Sequence, residues 1–263
     1  MLLKNKVAVV YGAAGAVGGA VARAFAADGA RVFVTGRQLA EVQALAGQIE
    51  VAGGSAQPAA VDALDEQAVD RHLKSVVEQA GRVDISFNAA GFSNAKALGV
   101  PLTDLDPAHF SAPIADYTRS YFLTARLAAR RMVPIKSGVI MTVTALPGRT
   151  GTALNGGYGA AQAAKDALAR DLSTELAPHG IRVLNLRPHG LPETHVMKEA
   201  FELKAARAGM TWEQFQVFLA NWSHPKRVMR LEEVANAAVW AASDKASGLM
   251  GTTVNLTMGG VSD

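Results

Sequence analysis

Short, continuous runs of apolar residues recur along the chain, each followed by a longer stretch patterned for a helix. This alternation restricts the fold more than any other feature. Runs such as Ala8-Val9-Val10, Val32-Phe33-Val34 and Val139-Ile140-Met141 lack the polar–apolar alternation of a strand with one wet face. Strands of that kind are covered on both sides, as in a parallel sheet flanked by crossover helices. The pattern predicts strands over Lys6–Tyr11, Arg31–Thr35, Gln57–Val61, Val83–Asn88, Gly138–Thr144, Ile181–Leu186 and Thr252–Leu256. Between them it predicts helices over Val17–Ala27, Leu39–Val51, Glu66–Gln79, Ala115–Met132 and Gly159–Leu176. Strand and helix in turn are the signature of βαβ units. The expected fold is a doubly wound, Rossmann-type α/β domain with a mostly seven-stranded parallel sheet.

No linker, repeat or compositional break divides the 263 residues, so residues 1–263 are expected to form one domain. One segment departs from the strand–helix rhythm. Between His195 and His224, after the sixth strand, Met197, Phe201, Met210, Trp212, Phe215, Phe218 and Trp222 are spread through one or two helices. Packing onto the body accounts for these residues. A substrate lid is the sharper expectation, since ligands sit beyond the carboxyl ends of parallel strands.

Charge and composition exclude several classes. A formal charge of +3 without a basic block argues against nucleic acid. The chain has no cysteine, which removes disulfides, thiol catalysis and zinc–cysteine sites. No run approaches the roughly 18 apolar residues of a membrane span. The first strand begins too early for a cleavable leader to precede it. A cytoplasmic protein with no metal site is the expectation.

Gly12, Gly15 and Gly18 follow the first strand at the spacing G-x-x-G-x-x-G and open a helix. Glycine there allows a tight turn and lets the backbone approach a pyrophosphate, which a helix N-terminus attracts. At the end of the second strand, where enzymes that use NAD place a carboxylate for the ribose hydroxyls, stand Gly36 and Arg37. A carboxylate would repel a 2′-phosphate, whereas a guanidinium pairs with it. The expected cofactor is therefore NADP(H).

The order of these features resembles the short-chain dehydrogenase/reductase family over essentially the whole chain. Val61-Asp62 is similar to the family's adenine-contacting pair, and Asn88-Ala89-Ala90-Gly91 to its N-N-A-G run with the second Asn replaced. Ile181-Arg182-Val183 followed by Pro188 resembles its sixth strand and nicotinamide loop. Glu232-Glu233-Val234-Ala235 through Gly259-Gly260 resembles its C-terminal pattern. The resemblance implies cofactor contacts at Gly12, Gly15, Val17, Gly18, Arg37, Asp62, Asn88, Ala89, Gly91, Tyr158, Pro188 and Thr194. It also implies a homotetramer or dimer built on the two long helices.

The family's main branch uses Asn, Ser, Tyr and Lys, and here the pattern breaks. Tyr158 fills the tyrosine slot, but Gln162 stands four residues on where Lys is expected, and Ala145 thirteen residues before where Ser is expected. The Asn slot, five residues before Phe122, holds Tyr117. Lys165 gives a Tyr-x6-Lys spacing like that of the family's enoyl-reductase branch. Counted back from Ile181-Arg182-Val183, however, Lys165 falls one turn too late. Residues three apart are neighbours on a helix, which leaves open that its long side chain reaches the site, but an exposed helix lysine is the expectation. Candidate stand-ins are His189 after Pro188, a proton source near neutral pH, and Asn155 in the loop before Tyr158. Thr144 carries a hydroxyl but should face away from the site occupied by residue 145.

With Tyr158, Gln162, His189 and Asn155 as the catalytic candidates, the expected activity is reduction of an activated small-molecule C=O, C=N or conjugated C=C by NADPH. The substrate is expected to be a small molecule, an apolar one among the options, with Tyr158 as proton donor. Two other readings stay open: an NADP(H)-binding pseudoenzyme, sensor or scaffold without turnover, and a lyase or isomerase on the same scaffold.

Overall fold

A computed structural model describes residues 1–262. β1 (Val7–Tyr11) leads into α1 (Ala16–Ala27), β2 (Arg31–Gly36) into α2 (Leu39–Val51), and β3 (Ser55–Ala60) into α3 (Glu66–Ala80). β4 (Ile85–Asn88) leads into α4 (Pro107–Met132), and β5 (Gly138–Val143) into α5 (Tyr158–Leu176). After β6 (Ile181–Pro188) come α6 (His195–Ala200), a π-helical turn (Phe201–Ala205), α7 (Trp212–Asn221), α8 (Leu231–Ala242) and β7 (Thr252–Leu256). The seven strands form one parallel sheet in the order β3-β2-β1-β4-β5-β6-β7.

The pleat sorts the strand residues into two cores. Ala8 and Val10 of β1 point to the face covered by α1, α2 and α8, where Val21, Phe25, Val42, Leu45, Val234 and Val239 are buried. Val7, Val9 and Tyr11 point to the other face, against Val69 and Leu73 of α3, Leu127 of α4 and Leu172 of α5. Both faces are thus dry, which is why the strands read as unbroken apolar runs.

The chain winds outward in opposite directions from β1 and β4. Tyr11 pairs with Asn88 across that junction, and the Ala89 N–H donates to the Tyr11 carbonyl at 2.9 Å. The crevice beyond the carboxyl ends of these two strands is the topological switch point, where ligands of such sheets bind.

Helix α4 starts eight residues before its expected first residue, Ala115. Asp106 caps it by accepting from the Ala108 and His109 N–H groups, and Pro107 occupies the first turn. Pro113 lies inside the helix and is buried. It forfeits one backbone bond, and packing holds the helix through it: a Cβ on Gly157 would sit 2.0 Å from the Phe110 carbonyl oxygen and 3.2 Å from Pro113 Cγ. Only glycine lets the start of α5 approach α4 so closely, and that approach fixes the height of Tyr158.

In the 195–224 segment the aromatic rings touch in series, Phe201 to Trp212 at 5.0 Å, Phe215 to Phe218 at 6.5 Å and Phe218 to Trp222 at 6.4 Å. Phe215 is buried, but Phe218 is 47 % and Trp222 45 % exposed, so packing onto the body accounts for only part of the series.

His72 of α3 lies on Phe33 of β2 with ring centroids 6.2 Å apart, and its Nδ1 is buried without a partner. Burial pulls its pKa down from 6.5 to about 4. A depressed folded pKa means that the stability is complete above pH 6.5 and is lost as pH falls toward 4. Between pH 7 and 4.5 the wild type is expected to lose about 2 kcal/mol more than His72→Leu, measured by urea unfolding. Parallel pH dependences in the two proteins would show that His72 does not titrate in this way.

Candidate active site

At the switch point the β1–α1 turn is held by contacts that exclude a side chain. Gly12 has φ +69°, and a Cβ there would meet the Ala89 carbonyl oxygen at 2.6 Å. A Cβ on Gly18 would lie 2.3 Å from the Gly12 oxygen, so the first turn of α1 rests directly on the loop. Gly15 is the N-cap of α1 and brings no side-chain cap, and no acid stands in the first turn, to which Val17 also belongs. The free N–H groups of that turn therefore keep their partial positive charge for an anion.

Arg37, just beyond β2, is exposed and makes no hydrogen bond or ion pair with any described residue. Gly36 beside it is buried, and a Cβ there would press on Val42 Cγ1 at 3.0 Å. Asp62, after β3, is exposed and accepts from the Leu64 N–H at 2.9 Å. Asn88 is buried and fully engaged: its amide donates to Ser120 at 3.0 Å and Thr124 at 2.9 Å, and its oxygen accepts from the Ala90 N–H. It ties the β4 loop, with Ala89 and Gly91, to α4. Pro188 ends β6, and Thr194 caps α6.

Tyr158 is the first residue of α5. Burial pushes its phenol well above the usual range, and the neighbouring Tyr117 adds to the shift. Its hydroxyl has no hydrogen-bond partner among the described residues. The Tyr117 ring stands nearly perpendicular to it at 5.6 Å, and Phe92 continues the series at 5.1 Å. Tyr117 Oη donates to the Phe92 carbonyl at 3.1 Å and accepts from the Phe92 N–H at 3.3 Å.

Gln162 is 1 % exposed, and its Nε2 is buried without a partner. Lys165 is not the exposed lysine that the register implied. It is 3 % exposed, donates to the Val143 carbonyl at 2.5 Å and lies over the Tyr117 ring, 5.5 Å from the centroid. The reason is directional: helix side chains lean toward the N-terminus, so a long chain covers the turn before its own Cα.

His189 is buried, with Nε2 donating to the Leu219 carbonyl of α7 at 2.6 Å while Nδ1 has no partner. Asn155 accepts from Lys204 Nζ at 3.5 Å, and its Nδ2 is buried and unpaired. The Thr144 hydroxyl turns to the Leu186 carbonyl at 3.5 Å, so it does not replace a serine at 145.

Sequence reasoning missed how the 195–224 segment is fastened. Buried Glu199 accepts from Ser93 Oγ at 2.6 Å and the Asn94 N–H at 3.3 Å, and lies 3.2 Å from His195 Nε2. Lys204 donates to the Ala153 carbonyl at 3.1 Å. A single glutamate and a single lysine among the apolar residues of these helices carry no sequence signal of such contacts.

The arrangement fits a dinucleotide on three counts: an uncapped helix N-terminus, a turn that a Cβ would fill, and the orphaned Gln162 Nε2 and His189 Nδ1 near the sheet's carboxyl edge. Fold and cradle together define a Rossmann-type α/β protein. A family model described as enoyl-(acyl carrier protein) reductase matches residues 12–261. The chain is 32 % identical to secoisolariciresinol dehydrogenase of Forsythia intermedia, over 95 % of this chain and 86 % of the relative. It is 31 % identical to (+)-borneol dehydrogenase 2 of Salvia officinalis, over 98 % and 89 %. Among solved structures, sorbitol-6-phosphate 2-dehydrogenase SrlD from Erwinia amylovora superposes with a TM-score of 0.89 at 28 % identity, covering 97 % of this chain and all of that one.

The chain belongs to the short-chain dehydrogenase/reductase family. Members of this family are oxidoreductases that bind a nicotinamide cofactor, act on small molecules and are commonly oligomeric. Among the described residues no helix is long and apolar enough to cross a membrane.

Proposed function

We propose that the protein is an NADPH-dependent reductase of an activated small-molecule C=O, C=N or conjugated C=C, with Tyr158 as the proton donor. The observation that carries this reading is the free Tyr158 phenol with neither a hydroxyl at 145 nor an amine at 162 beside it. A phenol pushed up by burial stays protonated at neutral pH, so it can give a proton but is a poor base for alcohol oxidation. Ala145 offers no hydrogen bond to a developing oxyanion, which favours acceptors that need little polarisation.

Hydride is the chemistry that a bound reduced nicotinamide supplies; the remaining tasks fall to the chain. Gly12, Gly15, Val17 and Gly18 take the pyrophosphate, Asp62, Asn88, Ala89 and Gly91 line the nucleotide, and Pro188, His189 and Thr194 border the ring. The unpaired Gln162 amide suits a ribose hydroxyl, holding the sugar without the charge that a lysine brings. Asn155 orients the substrate oxygen. Residues 1–263 act as one domain, with 195–224 as the substrate-side lid over an apolar acceptor. The exposed Phe122, with Arg126 stacked on it, supports a dimer or tetramer that uses α4, in a cytoplasmic enzyme.

Arg37 decides the cofactor. An uncommitted guanidinium with no carboxylate beside it supports the 2′-phosphate of NADP(H). Arg37→Ala is expected to weaken NADPH binding by about 10- to 100-fold, the worth of a charge-assisted hydrogen bond, and to leave NADH unchanged. Nucleotide titration by fluorescence or heat reads this directly. Equal affinity of the wild type for the two nucleotides would remove the NADPH assignment, and binding of neither would remove the reductase reading.

A further inference from the structure

Tyr158, Gln162 and Lys165 are spaced i, i+4 and i+7 along α5. Seven residues return a helix to within about 20° of the same direction, so the three share one face. Lys165 then leans back over the turn that carries Gln162. Its ammonium ends against the Val143 carbonyl, two residues before the serine slot at Ala145, and under the Tyr117 ring.

A buried cation with a single hydrogen bond to a neutral carbonyl is costly, and a methionine would pack in the same space without that cost. The adjacent carboxylate is occupied elsewhere: Asp166 pairs with Arg187 at 2.8 Å and accepts from Asn185 at 3.0 Å and Thr253 at 2.8 Å. The other titratable groups around this stretch of α5 are the phenols of Tyr117 and Tyr121 on α4, with Tyr121 Oη bound to Asn185 at 3.2 Å. The carboxylates of Asp116 on α4 and Glu199 on α6 act on Tyr117, Glu199 lying 3.2 Å from His195. Among the described residues no carboxylate on α4 or β5 forms an ion pair with the amine. The Tyr117 ring is fixed in turn, because its hydroxyl both donates to and accepts from the Phe92 backbone. It presents a face to the ammonium and stands nearly perpendicular to Tyr158, with centroids 5.6 Å apart. Attraction of a cation to a ring face acts at this range.

We propose that Lys165 is a positioning residue for Tyr158, its ammonium held under Tyr117 so that a positive charge stands one ring away from the proton donor and fixes the ring against which that donor packs. This rests on Tyr158 being the donor. When Tyr158 gives up its proton it becomes a phenolate, and a cation at this place lowers the cost of that charge. The arrangement replaces the amine missing at 162 from one turn below and leaves the ribose to Gln162. Burial lowers the Lys165 amine to about 7, with Asp166 opposing the shift. The charge is therefore present below about pH 7 and lost above it.

The four tyrosines of the chain make a direct test practicable. The full-length protein is labelled at tyrosine 13Cζ, the resonances are assigned by single Tyr→Phe changes, and spectra are taken from pH 5 to 9. Burial keeps Tyr117 and Tyr158 protonated over this range, so their own ionisation does not contribute. The expected result is a common step near pH 7 at Tyr117 and Tyr158, with Tyr11 flat. Lys165→Met should remove the step and hold both resonances at their alkaline positions, whereas Lys165→Arg should hold them near their acid positions. A Tyr158 signal that stays flat while Tyr117 moves, or a step that survives in Lys165→Met, overturns the proposal. Should the Met variant not fold, the wild type and Lys165→Arg decide by themselves. NADPH titration of the same samples separates the two readings: loss of nucleotide binding in the wild type removes the cofactor assignment and leaves the tyrosine result standing.

Discussion

Tyr158→Phe is expected to slow reduction of the activated acceptor by about 10²–10⁴-fold, the usual worth of a matched acid, while NADPH affinity stays within about twofold. The substitution removes one oxygen that has no hydrogen-bond partner among the described residues, and it keeps the ring that packs 5.6 Å from Tyr117. Neither α5 nor its contact with α4 should change, because that contact depends on Gly157 rather than on the phenol. A near-silent effect on binding with a large effect on turnover is the signature of a group used only in the chemical step. Single-turnover oxidation of bound NADPH, followed by its absorbance, gives the rate. An unchanged rate in the variant would mean that the proton comes from elsewhere, with His189 the next candidate.

The second large effect lies in the glycine turn. Gly18→Ala places a Cβ 2.3 Å from the Gly12 carbonyl oxygen and 2.8 Å from its carbon, and both are backbone atoms with nowhere to go. Helix α1 must then lift off the loop. Gly12→Ala adds an unfavourable positive φ to a 2.6 Å contact with the Ala89 oxygen, which would pry β1 and β4 apart at the switch point. Each is expected to cost about 2–3 kcal/mol of stability, in the upper range for overpacking, and to weaken nucleotide binding at least about 100-fold. Gly15→Ala serves as the control. Its φ is −76° and its nearest contact is 3.3 Å, so its stability should stay within about 1 kcal/mol of the wild type. Urea unfolding and nucleotide titration report the two quantities. Equal stability losses at positions 12, 15 and 18 would show that crowding is not what those glycines prevent.

The parallel sheet and its order of elements were legible because both determinants are local. Apolar runs without alternation require cover on both faces, and each strand found here lies within about two residues of its expected span, including β6, which continues to Pro188. The β1–α1 turn was legible for the same reason, since glycine spacing reports backbone shape directly. Helix α4 was read eight residues short, and Pro113 within it carries a local signal against a helix. The contact that overrides it comes from Gly157, more than forty residues away.

The active-site face shows the same divide. Sequence register assigned Tyr158, Gln162, Ala145 and Tyr117 to their slots, because slots are counted along the chain. It favoured an exposed Lys165, because counting locates a Cα and does not decide where the five side-chain atoms beyond it lean. It also gave no hint that Glu199 and Lys204 fasten the 195–224 segment to the β4 and β5 loops. By itself, then, the sequence determined the doubly wound sheet and the glycine turn after β1, and it set Ala145 and Gln162 in register with Tyr158. Only the tertiary structure decided that a buried ammonium and a locked tyrosine ring stand next to that phenol. Periodicity and spacing are properties of neighbouring residues, whereas burial and charge placement are set by which distant helices come together.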